Sequence, residues 1–273
     1  MSKLFVVGTP IGNLEDFSPR AIRILGECDF IAAEDTRVTL KLLNHFGIKK
    51  PMVSYFEHNI RESGEKVIAE ILSGKTCALV TDAGMPAISD PGEDLVRQCH
   101  EKGIPVESVP GPCAFATALA LSGMPSGRFT FEGFLSVNKP GRAQHLDSLR
   151  NETRTMIFYE APHKLSATLK DMNKAFGNRE IAIVRELTKI HEQVIRTTLD
   201  EAVRLYGDGG LKGEMVLILK GKEQTENEEE LTLEDAIELA RKSVESGMST
   251  SEAAKNAAKL TGFKKGDIYK SLI

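Results

Sequence analysis

Thr81-Asp82-Ala83-Gly84-Met85-Pro86-Ala87-Ile88-Ser89-Asp90-Pro91-Gly92 stands directly behind the apolar run at residues 77–80, and the junction between the two decides the fold. A short buried run that ends in a stiff turn of small residues, prolines and aspartates reads as a strand whose carboxyl end faces a ligand in an open α/β sheet. The arrangement recurs on either side. Gly8-Thr9-Pro10-Ile11-Gly12-Asn13 follows residues 4–7, Pro110-Gly111-Pro112 follows residues 106–109, and residues 30–33 supply a further strand. Residues 19–25, 39–46, 64–72 and 94–102 have helical spacing between them, so strand and helix alternate as βαβ units on a mostly parallel sheet. The three turns then converge on one edge of that sheet. The Gly8 turn lacks the G-x-G-x-x-G spacing of a dinucleotide site and the Lys-Ser/Thr ending of a phosphate loop. Asp82 and Asp90 suit a ligand, and equally suit capping of turns and of the helix that follows.

After a small-residue helix at 114–121, the break Gly123-Met124-Pro125-Ser126-Gly127 precedes a second set of strands at 129–131, 155–159, 181–186, 192–198 and 214–219. The expected division is an N-terminal α/β domain, 1–122, and a second α/β domain, 123–222. Residues 136–142 are rich in turn formers and read as a mobile loop. Residues 221–230 are polar and acidic, with Glu223, Glu226, Glu228, Glu229 and Glu230, the composition of a linker. Three short helices at 232–245, 249–260 and 264–273 make a small helical domain, 231–273. Ser249 with Glu252 has capping-box spacing, and Gly247 and Gly262 act as breakers. The tail resembles a helix-turn-helix and equally a plain packing module.

The composition is that of a globular protein: 273 residues, 41% hydrophobic and 27% charged, with a net charge of −4 that must hide any local basic surface for nucleic acid. Cys28, Cys77, Cys99 and Cys113 lie far apart without C-x-x-C spacing, which argues against a zinc knuckle or a disulfide framework. His and carboxylate residues show no ligand spacing, so no metal is expected. Residues 4–7 follow the first methionine without a leader-like segment, and no apolar run reaches membrane-spanning length. The expectation is a cytoplasmic protein with no membrane partner.

These turns, together with Ala33-Glu34-Asp35-Thr36-Arg37, Phe158-Tyr159-Glu160-Ala161-Pro162-His163-Lys164 and Arg185-Glu186-Leu187-Thr188-Lys189, resemble the tetrapyrrole methylase superfamily of S-adenosylmethionine (SAM)-dependent methyltransferases. Within it, the chain is similar to the branch that methylates small-subunit ribosomal RNA, from Leu4 to about Lys220 and again in the helical tail. The resemblance implies a homodimer, with SAM held in a cleft between two α/β domains of each chain. It assigns cofactor contacts to Pro10, Ile11, Asp82, Gly84, Met85, Cys113, Ala114, Tyr159, Leu187, Gly213, Glu214 and Met215. The implied substrate is a decoding-centre cytidine of 16S rRNA, methylated on its ribose 2′-oxygen in free rRNA or in the 30S subunit. Two positions depart from the family's usual residues: Lys164 stands where Arg is usual, keeping the charge without the planar fork, and Phe56 where His is frequent.

Methyl transfer to a hydroxyl needs alignment and a base to take its proton. Glu34, Asp35, His58, Glu160 and Glu186 are the candidate bases, with Arg37 beside them. Glu34-Asp35-Thr36-Arg37 could instead be a capped helix start with an ordinary ion pair, and His58 a surface residue. His163 and Lys164 suit RNA or cofactor positioning, and His191 and Glu192 an exposed strand end. Two other functions compete: methylation of a tetrapyrrole or of diphthamide within the same superfamily, and a non-catalytic RNA-binding or ribosome-assembly module.

Overall fold

Strands that are apolar on both faces need helices on both sides, and the first half of the chain supplies them. In the computed structural model, which describes residues 2–223 and 232–272, β1 (Lys3–Val7), β2 (Phe30–Ala33), β3 (Met52–Ser54), β4 (Thr76–Val80) and β5 (Val106–Val109) form a parallel sheet in the order β3-β2-β4-β1-β5. Alternation along the strands sends Phe5, Val7, Ile31, Ala78 and Val80 to one face. There they pack on Ala21, Ile24 and Leu25 of α1 (Pro19–Glu27) and Leu43 of α2 (Thr36–His45). Leu4, Phe30, Ala32, Cys77 and Leu79 face the other way, onto α3 (Ile60–Leu72) and α4 (Glu93–Glu101) through Val67, Ile71, Leu95 and Cys99. Four of these strands match the sequence reading; β3, three residues long, escaped it.

The second sheet is mixed, in the order β6-β7-β10-β8-β9. β6 (Phe129–Phe134) runs parallel to β7 (Thr155–Glu160), whereas β10 (Met215–Leu219) is antiparallel to both β7 and β8 (Glu180–Arg185), and β9 (Gln193–Thr198) to β8. One face carries Met156, Phe158, Ile183 and Leu217 against α6 (Lys139–Ser148), α7 (Leu165–Phe176) and α8 (Leu199–Tyr206). The opposite face, with Ile157, Ala182, Val184 and Val216, packs on Ala118 and Leu119 of α5 (Ala114–Ser122). α5 thus starts at the rim of the first sheet and lies on the second, where Ile11 of that rim also packs.

Residues 136–142, expected to be a mobile loop, instead lead into α6 from Lys139. Arg142 anchors them with an ion pair to Asp171 at 2.7 Å and donates to the carbonyls of Ser136 and Val137. The described chain falls into two compact units, parted between Lys222 and Glu223. In the second unit α9 (Leu233–Glu245), α10 (Thr250–Thr261) and α11 (Lys265–Lys270) close on Ala236, Ala240, Ala253, Ala254, Ala257 and Ile268. Ser249 caps α10, accepting from the Glu252 N–H at 3.4 Å, and Gly262 ends it at φ +79°. Residues 224–231, which hold four of the five linker glutamates, lie outside the described residues. No described helix is long and apolar enough to cross a membrane.

Candidate active site

The three glycine-bearing turns are bonded to one another. The Thr9 N–H donates to the Gly84 carbonyl at 2.8 Å, the Gly84 N–H returns the bond at 3.1 Å, and the Thr9 hydroxyl donates to the Thr81 carbonyl. Gly8 and Gly111 touch backbone to backbone: a Cβ on Gly8 would sit 2.7 Å from Gly111 Cα and 2.6 Å from Met85 Sδ. Only hydrogen fits there, which explains both glycines. The turns after β1, β4 and β5 therefore form one rigid rim.

Over that rim hangs the loop after β8. Glu186 and Thr188 have φ of +52° and +64°, and a Cβ on Gly12 would meet Lys189 Cγ at 2.7 Å. The Tyr159 hydroxyl accepts from the N–H of Phe115 in the first turn of α5 at 3.2 Å, a second tie between the two sheets. Burial pushes that phenol up to about 12. Between rim and loop lies a cavity of about 340 Å³, the size of a small-molecule site.

Of the twelve cofactor contacts expected, Ile11, Asp82, Gly84, Met85, Cys113, Ala114, Tyr159, Leu187, Glu214 and Met215 line this cavity; Pro10 and Gly213 do not. Gly213 lies against it indirectly, because any Cβ there would collide with the Glu186 carboxylate. Of the expected catalytic residues, Glu34, Glu160 and Glu186 line the cavity. Asp35 and Arg37 adjoin it: the Asp35 N–H donates to Asp82 Oδ1 at 3.1 Å. His58 is not brought there. It borders a separate groove with Arg61, Asp94 and Arg97, its ring edge-on to Phe56, because β3 is the sheet's edge strand and delivers its loop far from β4.

The carboxylates differ in how they are held. Glu34 accepts hydrogen bonds from the Thr81 hydroxyl and the Asp82 N–H. Glu160 is buried, with one oxygen on the Thr168 hydroxyl and the other on the Ala161 N–H, so it serves the wall rather than the interior. Glu186 pairs with Lys189 at 3.0 Å. Asp35 caps α2, accepting from the Arg37 N–H, and the Arg37 side chain holds its carboxyl down at about 2. Arg37 itself is 87% exposed.

Asp90, which by sequence suits a ligand or a cap, lines the cavity. It does not cap α4, whose N-cap is Gly92. Burial first, then the neighbouring Glu34 charge, pushes Asp90 up to about 6, and the same two causes raise Asp82. Ile88, Phe134, Val184 and Lys189 also line the cavity without having been singled out. Among the described residues, the four non-glycine residues with positive φ are Ala87, Ser89, Glu186 and Thr188, two in each loop bordering the cavity. Each costs about 1–3 kcal/mol, which rigid surroundings must hold in place. No group of three or more His, Cys, Asp or Glu among the described residues could hold a metal ion.

Two α/β layers sharing a cavity at the carboxyl rim of a parallel sheet are a known solution, and the chain belongs to the tetrapyrrole (corrin/porphyrin) methylase family, whose model matches residues 3–203. At closer range it is similar to proteins named ribosomal RNA small subunit methyltransferase I. That of Halalkalibacterium halodurans is 47% identical over 268 residues, 97% of this chain and 93% of the relative. That of Thermotoga maritima is 46% identical over 223 residues, which span the whole of that protein but 82% of this chain. Among solved structures, a uroporphyrin-III C-methyltransferase from Thermus thermophilus aligns with a TM-score of 0.57 at 19% identity, over 81% of this chain and 94% of that one. A diphthine synthase aligns at 0.61 and 15%, over 80% and 90%. At such identities these two speak for the fold.

Proposed function

We propose that the protein is an S-adenosylmethionine-dependent methyltransferase of small-subunit ribosomal RNA, acting on the 2′-hydroxyl of a cytidine in 16S rRNA, free or within the 30S subunit. The observation that carries the reading is the charge of the cavity. Its wall holds Glu34, Asp82, Asp90, Glu160, Glu186 and Glu214, against the one cation Lys189. Such a wall repels phosphate-bearing cofactors and suits a ligand with cationic groups, as SAM has in its sulfonium and its ammonium. Apolar Ile11, Val184, Leu187, Met215 and Val216 suit an aromatic ring, and Gly84, at φ +93° with no Cβ, lets backbone approach a ligand. The residues present fit the cofactor.

When bound, SAM supplies an electrophilic methyl group. The chain's own part is to hold, align and deprotonate. The bonded turns after β1, β4 and β5 give a pre-formed floor, so little order is lost on binding. Ile11, Leu187 and Met215 exclude water, and Asp82 and Glu214 stand ready for cationic groups. Cys113 and Ala114 present the first turn of α5, where N–H groups point outward. Arg37, exposed beside the cavity, is suited to a phosphate of the substrate strand. In this reading residues 1–122 and 123–222 are the two lobes of the cleft and 231–273 an accessory helical domain. The protein works in the cytoplasm as a homodimer, in which a second copy would cover apolar surface such as Ile190, 97% exposed.

Titration with SAM, followed by incorporation of labelled methyl into purified small subunits and into naked 16S rRNA, tests the reading. Micromolar binding with methyl appearing in rRNA supports it; SAM binding without any transfer to rRNA refutes the substrate, and no binding refutes the whole.

A further inference from the structure

The cavity holds several carboxylates, and their hydrogen bonds separate them. Glu34 accepts from Thr81 and from the Asp82 N–H, Asp82 from the Asp35 N–H, Glu160 from Thr168 and Ala161, and Glu186 from Lys189. Each is engaged in a hydrogen bond that holds the site together, and Glu214, largely exposed, lies 3.7 Å from Lys189. The hydrogen-bonding neighbour of the Asp90 carboxylate is the Thr81 hydroxyl, which donates to Glu34. We propose that Asp90 is the proton acceptor of the methyl transfer, a role that rests on the function proposed above and adds to it the residue that activates the hydroxyl.

The loop is built to hold this carboxylate still. Ala87 and Ser89 sit at φ of +66° and +63°, and Gly92, at +145°, is pressed so closely on β4 that a Cβ would meet Leu79 at 2.9 Å and the Ala87 nitrogen at 3.2 Å. The groups facing Asp90 are Glu34 from the end of β2, Asp82 from its own loop, Cys113 at the start of α5 and Tyr159 on β7. Lys189, the cation of the cavity wall, is engaged with Glu186 and Glu214. With acidic neighbours and partial burial, Asp90 binds a proton more readily than an ordinary aspartate while staying ionised at neutral pH, the balance a general base needs. In the step, the hydroxyl proton passes to the Asp90 carboxylate as the oxygen–methyl bond forms. The sulfur–methyl bond breaks and its electron pair stays on sulfur, which leaves as a neutral thioether.

The test is a pH profile of kcat/KM for SAM, with small subunits as acceptor, for the wild type, Asp90→Asn and Glu34→Gln, with SAM affinity measured for each. The wild-type rate should rise with pH and level off above a break near 6. Asp90→Asn should still bind SAM through the remaining acidic and apolar wall, lose about 100-fold or more in rate and lose the break. Glu34→Gln should move the break to lower pH by removing the adjacent charge. An active wild type with an Asp90→Asn variant that keeps its rate, or keeps the break, overturns the assignment alone. A wild type that transfers no methyl to rRNA overturns the functional reading and this proposal together.

Discussion

Replacing Asp90 by Asn should make the protein more stable at neutral pH. In the folded chain Asp90 titrates at about 6 instead of 3.8, because it is partly buried beside Glu34. A displacement of that size corresponds to about 3 kcal/mol in favour of the protonated form. Water reaches this cavity, so roughly half should survive screening, about 1–2 kcal/mol. The sign follows from linkage: the folded state binds the proton more tightly, so stability is greatest below the unfolded value and is lost as pH rises through 6. Asn carries no charge and escapes the loss. Thermal unfolding of the two proteins should coincide near pH 4 and separate through pH 4–6, with the variant melting about 3–6 °C higher at pH 7.5. Equal melting temperatures at neutral pH, or a gap that does not change with pH, would refute the electrostatic account of the site.

Three other substitutions probe the remaining parts. Arg37→Ala should leave SAM affinity unchanged and lower methyl transfer about tenfold, with one fewer counterion released in the salt dependence of rRNA binding. Titration calorimetry with single-turnover rates would measure both; an unchanged rate removes Arg37 from the substrate surface. Gly111→Ala places a Cβ 2.8 Å from the Gly8 backbone, which should destabilise the fold by about 3 kcal/mol in urea denaturation and abolish SAM binding. A stop after Lys222 removes the second compact unit; since the Thermotoga relative is matched in full by 82% of this chain, SAM binding should survive, and gel-shift assays should show weaker binding to rRNA.

The parallel half of the fold was legible because β1, β2 and β4 are short apolar runs and Gly/Pro turns close β1, β4 and β5. β3 failed that test: Met52-Val53-Ser54 is short, half-buried and preceded by Pro51. α6 was hidden by Pro140 and Gly141, which read as turn formers, although proline within the first turn of a helix breaks nothing. The residues of the cavity wall came from the family resemblance of the turns, and Gly84 is the one glycine among the described residues of the lining, whereas two residues could not be judged from neighbours in sequence. His58 follows a strand like the other rim residues, and only the strand order reveals that its strand is at the edge. Asp90 sits in Ser-Asp-Pro-Gly, a turn by any local rule, and its character comes from Glu34, delivered by another strand.

The acidic cavity between the two lobes delivers a methyl group to small-subunit RNA. Mass mapping of ribose methylation in 16S rRNA from cells with and without the protein addresses this most directly. One cytidine should lose about 14 mass units from its ribose in the absence of the protein, as the change of a methyl to a hydrogen requires. An identical methylation map in both would contradict it.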